Sequence, residues 1–256
     1  MSVRKHPWWF GPFDALVNGF IALCGVKRIV PPPGFVAIDP HVHSLFSKCS
    51  VSSIERILIR AAKVGLSAVG IMDHNDMRSA EHAAACAQEL KRRKLIPEDF
   101  IVIPGMEVYS GGGHIGALFV QEPIPTKLGV SGTVQRIHEA GGLAIAPHPF
   151  LESGVGNALF DAPFDAVEIE SGSVFQQAAA ERARELLADD RLVNTAKLGS
   201  SDAHYINAIG ICYTLVEASD ITPDSIRSAI VQGRCTAHSS AACRKISKLL
   251  GRILPA

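Results

Sequence analysis

The chain has 256 residues, of which 47% are hydrophobic and 20% are charged, a composition typical of a folded globular protein. Its 25 Lys and Arg balance its 25 Asp and Glu, so the formal net charge is zero with neutral histidines. This balance argues against a broad basic surface, and we expect no duplex nucleic acid as a partner. The 6 cysteines include no Cys-x-x-Cys pair, which favours a reducing compartment and a cytoplasmic location.

The first 34 residues form a separate N-terminal segment. Residues 1–25 begin basic and turn apolar, as a signal peptide does, but polar residues and a proline interrupt the stretch and no clear cleavage site follows. The stretch is also too broken to span a bilayer, so we expect no transmembrane helix. We predict a short helix over residues 13–23 that packs on the main body or on a partner. The aromatic residues before this helix could instead rest on a membrane surface: Trp8, Trp9 and Phe10.

From residue 35 onward, short apolar runs alternate with helical stretches. The run GFVAI precedes SSIERILIRAAKVGL, in which Ile54, Leu58 and Ala61 share one helical face and Ser52 or Ser53 can cap the helix. The later apolar runs are SAVGIM, FIVIPGM, HIGALFV, LAIAP, DAVEI, AKLGSS and ICYTLVEA. Such alternation predicts a largely parallel sheet covered by helices, and about seven strands favour a barrel. We assign residues 35–240 to this barrel and residues 241–256 to a basic C-terminal helix.

Side chains able to bind metal recur where the apolar runs end. The carboxyl ends of parallel strands meet at one edge, where active sites of barrels lie, so we expect these residues to form one metal site. The strand-end candidates are His41, His43, His74, Glu107, His148, Asp202 and His204. His114 instead opens the run HIGALFV, and it reaches the same edge only if SGGGH is a tight return.

These motifs closely resemble those of the polymerase and histidinol phosphatase (PHP) superfamily of metal-dependent phosphoesterases. The matching stretches are DPHVHS, IMDHND, GMEV with GGGHIGALF, AIAPHP and GSSDAH. The resemblance implies a distorted seven-stranded (β/α) TIM-like barrel with two or three divalent ions, zinc, manganese or iron, at the carboxyl ends of its strands. One ion would bind His41, His43, Glu107 and Asp202. Glu107 would bridge to a second ion bound by His114 and His148, and a third would bind His74 and His204.

The chain departs from the family pattern after its first motif, where many members supply a further ligand, commonly an acid. SLFSKCS offers Lys48 and Cys49 instead. A charged lysine is a poor ligand, whereas a Cys49 thiolate would bind and would favour zinc. We therefore expect the third ion to be completed by water or bound weakly.

The resemblance implies hydrolysis of a phosphate ester, either a phosphomonoester or a small nucleotide, by a metal-bridging hydroxide. We expect Glu107, Asp202 and His204 to take part in catalysis. Two alternatives stay open: a metal-dependent amidohydrolase-type enzyme that cleaves carbon–nitrogen bonds, and a non-catalytic, metal-stabilised binding module.

For the other polar residues near the motifs, the sequence leaves more than one role open. Asp39 and Asp73 either orient ligand imidazoles or cap turns. Glu168 and Glu170 share one strand face, where either can meet substrate or pair with a buried base. Three basic residues lie close to the motifs as candidate phosphate contacts: Lys48, Arg78 and Lys197.

Overall fold

The structure is a computed structural model that describes residues 10–173, 177–218 and 220–250. Seven α-helices lie in these ranges: α1 (Phe10–Cys24), α2 (Ile54–Val64), α3 (Arg78–Arg92), α4 (Val130–Glu139), α5 (Gln177–Glu185), α6 (Pro223–Val231) and α7 (Ala241–Leu250). Nine strands accompany them: β1 (Phe35–Val42), β2 (Ala68–Ile71), β3 (Ile101–Ser110), β4 (Gly113–Leu118), β5 (Leu143–Ala146), β6 (Ala166–Ser171), β7 (Ala196–Ser200), β8 (Cys212–Glu217) and β9 (Cys235–Ser239).

Two of the helices, α2 and α6, show the expected capping chemistry. Ser53 is the N-cap of α2, and its hydroxyl accepts a hydrogen bond from the amide of Arg56. Gly65 ends the same helix with φ 91°, a left-handed conformation that glycine adopts without a Cβ clash. Thr222 caps α6 in a reciprocal capping box with Ser225.

All nine strands belong to one sheet, in the order β7-β6-β5-β4-β3-β2-β1-β8-β9. The pairs β1–β2, β2–β3, β5–β6 and β6–β7 are parallel, whereas β4 runs antiparallel to both of its neighbours. The sheet nearly closes on itself, because Thr214 Oγ1 on β8 accepts from the amide of Gly199 on β7 and donates to its carbonyl. Val42 and Ala203 add a parallel bridge between the two sides.

This architecture confirms the α/β barrel, although its sheet has nine strands where seven were expected. The eight apolar runs named from the sequence form β1 to β8, and β9, which pairs antiparallel with β8, is the additional strand. Strand β9 was not predicted, because CTAHS contains little apolar sequence and most of its residues stay partly exposed.

A cluster of buried apolar residues fills the inside of the barrel. Its members come from strands all around the sheet: Ile38, Met72, Ile103, Leu118, Ile145, Leu198 and Val216. Because protein cores are close-packed, this cluster gives the polar residues at the strand ends a rigid support.

Helix α1 packs on the barrel by one side only. Asn18 Oδ1 accepts from the amide of Asn207, and Ile21 is buried in a core cluster that includes residues of α2 and α3. The opposite side exposes 72% of Leu16 and 83% of Leu23. The helix is longer than the predicted span of residues 13–23. Trp8 and Trp9 lie outside the described residues, so contact of their rings with a membrane or a partner stays a prediction.

Candidate metal centre

The structure brings all eight predicted ligand residues to one end of the barrel. His41 lies on β1, Glu107 on β3 and His114 on β4, and the other five candidates follow β1, β2, β5 and β7 directly. His114 reaches the same end because β3 and β4 form a tight antiparallel hairpin, in which His114 pairs with Tyr109. The tight return through SGGGH, which His114 needs in order to reach this end, is therefore present as the turn between β3 and β4.

Glu107 lies at the centre of this cluster and is fully buried. Its Oε1 atom is 2.9 Å from His114 Nδ1 and 3.1 Å from His148 Nε2. Its Oε2 atom is 2.8 Å from His74 Nδ1 and 3.4 Å from His43 Nε2. The two oxygens of one carboxylate thus face two different groups of imidazoles.

Asp202 lies across the cluster from Glu107. Its Oδ1 atom is 3.0 Å from His43 Nε2 and 3.4 Å from His41 Nε2, and its backbone carbonyl lies 2.8 Å from His204 Nδ1. Asp202 and His148 adopt φ values of 46° and 29°, which are strained for residues with a side chain. Strained backbone is frequently found at functional sites, and here it occurs at two of the eight candidates.

Hydrogen bonds on the outer side of the cluster fix the tautomers of two histidines. His41 Nδ1 lies 2.9 Å from the Glu168 carboxylate, an acceptor, so this nitrogen carries a proton. Ser47 donates its hydroxyl proton to Asp73, 2.6 Å away, and therefore accepts from His43 Nδ1 at 3.3 Å. In their neutral forms, both imidazoles direct an Nε2 lone pair into the cluster, and these two atoms lie 3.0 Å apart.

This arrangement of donors fits divalent cations. Two imidazole lone pairs and the carboxylates of Glu107 and Asp202 converge in a buried space, where their mutual repulsion calls for positive charge. Glu107 Oε2 and His74 Nδ1 are buried without a hydrogen-bond partner among the described residues, although they lie 2.8 Å apart. In the part of the chain that the structure describes, three groups have ligand atoms within 4.8 Å of one another: His41, His43 and Asp202; His74, Glu107 and His114; and His43, Cys49, His74 and His204.

The charges of the cluster shift the pKa values of its members in opposite directions. Burial alone raises the pKa of Glu107 and of Asp202, but neighbouring histidines, above all His41, outweigh it and hold both well below their usual range. Burial alone lowers the pKa of His41, yet Asp202, Glu168 and Glu107 raise it well above 6.5. Without a cation, protons on histidine therefore supply the positive charge that the carboxylates require.

The pKa values of His43 and His148 shift in opposite directions, although both side chains lie among the same charged groups. Burial, with the nearby His204, lowers the pKa of His43 to about 3, although Asp202 would accept a hydrogen bond from the protonated ring. Burial also lowers the pKa of His148, but the hydrogen bond to Glu107 and the charge of Asp202 outweigh burial and raise it to about 9. His43 is thus ready to offer a lone pair at neutral pH, whereas His148 has to lose a proton before it binds a cation.

The acids next to the motifs support the cluster in different ways. Asp39 is a backbone cap, because its carboxylate accepts from the amides of Ser201 and Gly210. Asp73 is also buried and accepts from the hydroxyls of Ser44 and Ser47, so it acts on His43 only through Ser47. The sequence did not single out Ser47, since a serine in a turn carries no signal of its own.

Glu168 and Glu170 separate at a β-bulge in β6. Glu168 is 1% exposed and contacts both the His41 ring and the amide of His148. Glu170 instead forms a two-point ion pair with Arg184, at 2.7 Å and 3.0 Å. The extra residue of a bulge interrupts the alternation of side chains, so the shared face expected for this pair does not give them a shared role.

The three basic residues near the motifs lie in different surroundings. Arg78 binds Asp76 through its guanidinium, and Lys197 donates to the carbonyls of Leu192 and Thr195. Lys48 is exposed. A cavity of about 500 Å3 borders the cluster at His148 and Glu168, and two other basic residues line it, Arg184 and Arg244.

A buried cluster of histidines and carboxylates at the carboxyl ends of barrel strands defines the class of metal-dependent hydrolase barrels. The PHP domain profile matches residues 39–189, and the profile of a PHP-associated region matches residues 181–235. The chain belongs to the PHP family. Within the described residues, every helix is too short or too polar to cross a membrane.

Several known proteins are similar to this chain. The uncharacterized protein MJ1587 of Methanocaldococcus jannaschii is 34% identical over 144 residues, which is 51% of this chain and 79% of that protein. A two-domain protein from Bacteroides vulgatus, described as containing a predicted PHP-like metal-dependent phosphoesterase, shares the fold with a TM-score of 0.65 and 20% identity. That match covers 84% of this chain and 68% of the other.

A third similarity concerns the lesion-specific endonuclease PfuEndoQ of Pyrococcus furiosus. Its structure matches with a TM-score of 0.51 and 19% identity, over 77% of this chain and 56% of that chain. At such low identity, both structural similarities show the fold alone.

Proposed function

We propose that the protein is a metal-dependent phosphoesterase that cleaves a phosphomonoester or a small nucleotide. The observation that carries this proposal is Glu107, whose two buried oxygens face separate groups of imidazoles. Divalent cations at this position would activate a water molecule and neutralise the charge of a phosphate ester. Membership of the PHP family supports the same reaction class.

The distances support an assignment of ligands to two central positions. The first would use His41, His43, Asp202 Oδ1 and Glu107 Oε2, and the second would use Glu107 Oε1 with His114 and His148. A carboxylate can join two cations, whereas a neutral imidazole ring nitrogen binds one. Glu107 would therefore set the spacing between the two positions.

His74 and His204 would hold a third position at the mouth of the barrel. Both side chains remain partly accessible, with 16% of His74 and 26% of His204 exposed. The Asp202 carbonyl accepts from Nδ1–H of His204, which leaves Nε2 as the atom that offers a lone pair. This exposure lets His204 approach a bound phosphate, which supports a catalytic role beside Glu107 and Asp202.

The arginine-lined cavity supports a phosphate ester over an amide as the substrate. Arg184 already pairs with Glu170, but Arg244 donates to a neutral partner, the carbonyl of Ser239, and retains its charge for an anion. Guanidinium groups recognise phosphate oxygens in a bidentate manner. A small anionic ester bound in this cavity would lie next to His148 and Glu168.

A substrate screen tests the proposal. The full chain is loaded in turn with zinc, manganese and iron and assayed with sugar phosphates, nucleotides, histidinol phosphate, DNA with lesions and amides. We expect release of inorganic phosphate from at least one monoester or nucleotide, and its loss in Glu107→Gln. Glu139→Gln, the same chemical change on the exposed surface of α4, is the control. Metal-loaded protein that cleaves only amides, or nothing, would contradict the proposal.

A further inference from the structure

Cys49 lies beside the mouth of the barrel, in the turn after β1. Its sulfur falls within 4.8 Å of potential ligand atoms on His43, His74 and His204, so four residues from distant parts of the sequence converge. The side chain is partly buried, while the neighbouring Lys48 is exposed. The thiol therefore points to the position where a third ion would need a ligand, and the lysine does not compete for it.

His43 cannot serve this position and the central one together. Its Nδ1 proton is directed to Ser47, and its Nε2 atom lies 3.0 Å from Asp202 Oδ1. The remaining set is therefore Cys49, His74 and His204, one sulfur and two nitrogens. Three protein ligands with a fourth position left open are typical of catalytic zinc sites.

We propose that Cys49 binds, as a thiolate, the cation held by His74 and His204, and that it makes this position selective for zinc over manganese. The inference rests on the proposed function and adds the identity of one ligand and its metal preference. Thiolate is a soft ligand that zinc and cobalt accept readily, whereas manganese prefers oxygen ligands. On binding, a sulfur–metal bond forms and the thiol proton passes to solvent.

The surroundings of Cys49 keep the sulfur protonated until a cation arrives. Burial, followed by the charges of Asp202 and Asp73, raises the pKa of this thiol to about 12. A coordinated cation reverses this effect, because its charge is the largest in the site and deprotonates a bound thiol outright.

Cobalt titration of the full chain provides a direct test. A thiolate bound to Co²⁺ gives a charge-transfer absorption band in the near ultraviolet, which imidazole and carboxylate ligands do not give. We expect this band in the wild-type protein and in Cys86→Ser, a control on helix α3, and its loss in Cys49→Ser. Absence of the band in the wild type, or its persistence in Cys49→Ser, would overturn the proposal.

Alkylation of the wild-type chain gives a second readout that needs no variant. Under partially denaturing conditions, cysteines are alkylated and located by peptide mass spectrometry in three samples: without metal, with zinc and with manganese. We expect zinc, but not manganese, to protect Cys49, with Cys86 as the internal reference. Equal alkylation of Cys49 in all three samples would overturn the proposal. Neither readout depends on hydrolysis. A protein that forms the cobalt band but cleaves no ester would therefore support Cys49 as a ligand and contradict the proposed function.

Discussion

Glu168 Oε1 lies 2.9 Å from Nδ1 of His41, and both side chains are buried. The other oxygen of Glu168 accepts from the amide of His148 at 3.1 Å. One carboxylate thus fixes the ring of one proposed ligand and the backbone of another. Carboxylates that hold the outer nitrogen of a ligand histidine raise its basicity and fix its orientation.

The first prediction concerns Glu168→Gln. Glutamine keeps the shape of the side chain but removes its negative charge. Its amide has one oxygen in place of two, so it cannot accept from His41 and His148 through separate oxygens. We expect metal affinity to fall by about 10- to 100-fold while the fold is retained. Competition with a chelator of known affinity measures this change. Glu170→Gln, on the same strand but paired with Arg184, should bind metal as the wild type does. Equal affinities in all three proteins would contradict this role of Glu168.

The second prediction concerns Asp73, which is buried and accepts hydrogen bonds from Ser44 and Ser47 at 2.6 Å. Asp73→Asn replaces one acceptor oxygen by a donor, so at least one of these bonds is lost. We expect the free energy of unfolding to fall by about 2–3 kcal/mol, in the range for hydrogen bonds to charged groups. Urea denaturation of the metal-free protein measures this loss.

Asp161→Asn, on an exposed turn, serves as the control for Asp73→Asn and should leave stability unchanged. A similar stability for both variants would show that the hydrogen bonds of Asp73 contribute nothing net to the fold.

The third prediction concerns pH. Hydrogen bonding and negative charge raise the pKa of His148 from 6.5 to about 9 against the effect of burial. The folded state therefore holds a proton more tightly than the unfolded state, so this contribution to stability is complete below pH 6.5 and disappears as pH rises through about 9. We expect the Tm of the metal-free protein to fall over this interval.

Bound metal should reverse this dependence, because the cation replaces the protons and its affinity grows as they leave. Thermal unfolding from pH 6.5 to 9, with excess chelator and with excess zinc, compares the two states. In His148→Gln the fall of the metal-free Tm should be shallower. Parallel curves with chelator and with zinc would contradict the exchange of protons for metal.

Much of the candidate site could be predicted from the sequence, because strand periodicity is a local property. Alternation places His41 and His43 on one face of a strand end, and the glycines before His114 predict a hairpin. The carboxyl-edge rule then gathers residues from different strands without any knowledge of their distances.

Other features depend on geometry that the sequence does not carry. The bulge in β6 decides that Glu168, and not Glu170, contacts His41. Cys49 and His204 lie about 155 residues apart in the sequence, and closure of the barrel brings them close together. No local sequence pattern encodes a contact over such a separation. Strand β9 was not predicted because its sequence is polar, and it forms a strand through its pairing with β8.

The metal content of Glu107→Gln tests the central claim most directly, namely that the two oxygens of Glu107 join two cations. Glutamine preserves the volume of the side chain but lacks the charge that offsets two close dications. Elemental analysis after zinc loading and gel filtration measures zinc per chain, with Glu139→Gln as the matched control. We expect the control to retain the wild-type stoichiometry and Glu107→Gln to lose both central ions together with activity. A Glu107→Gln protein with its full metal complement would contradict the bridging role.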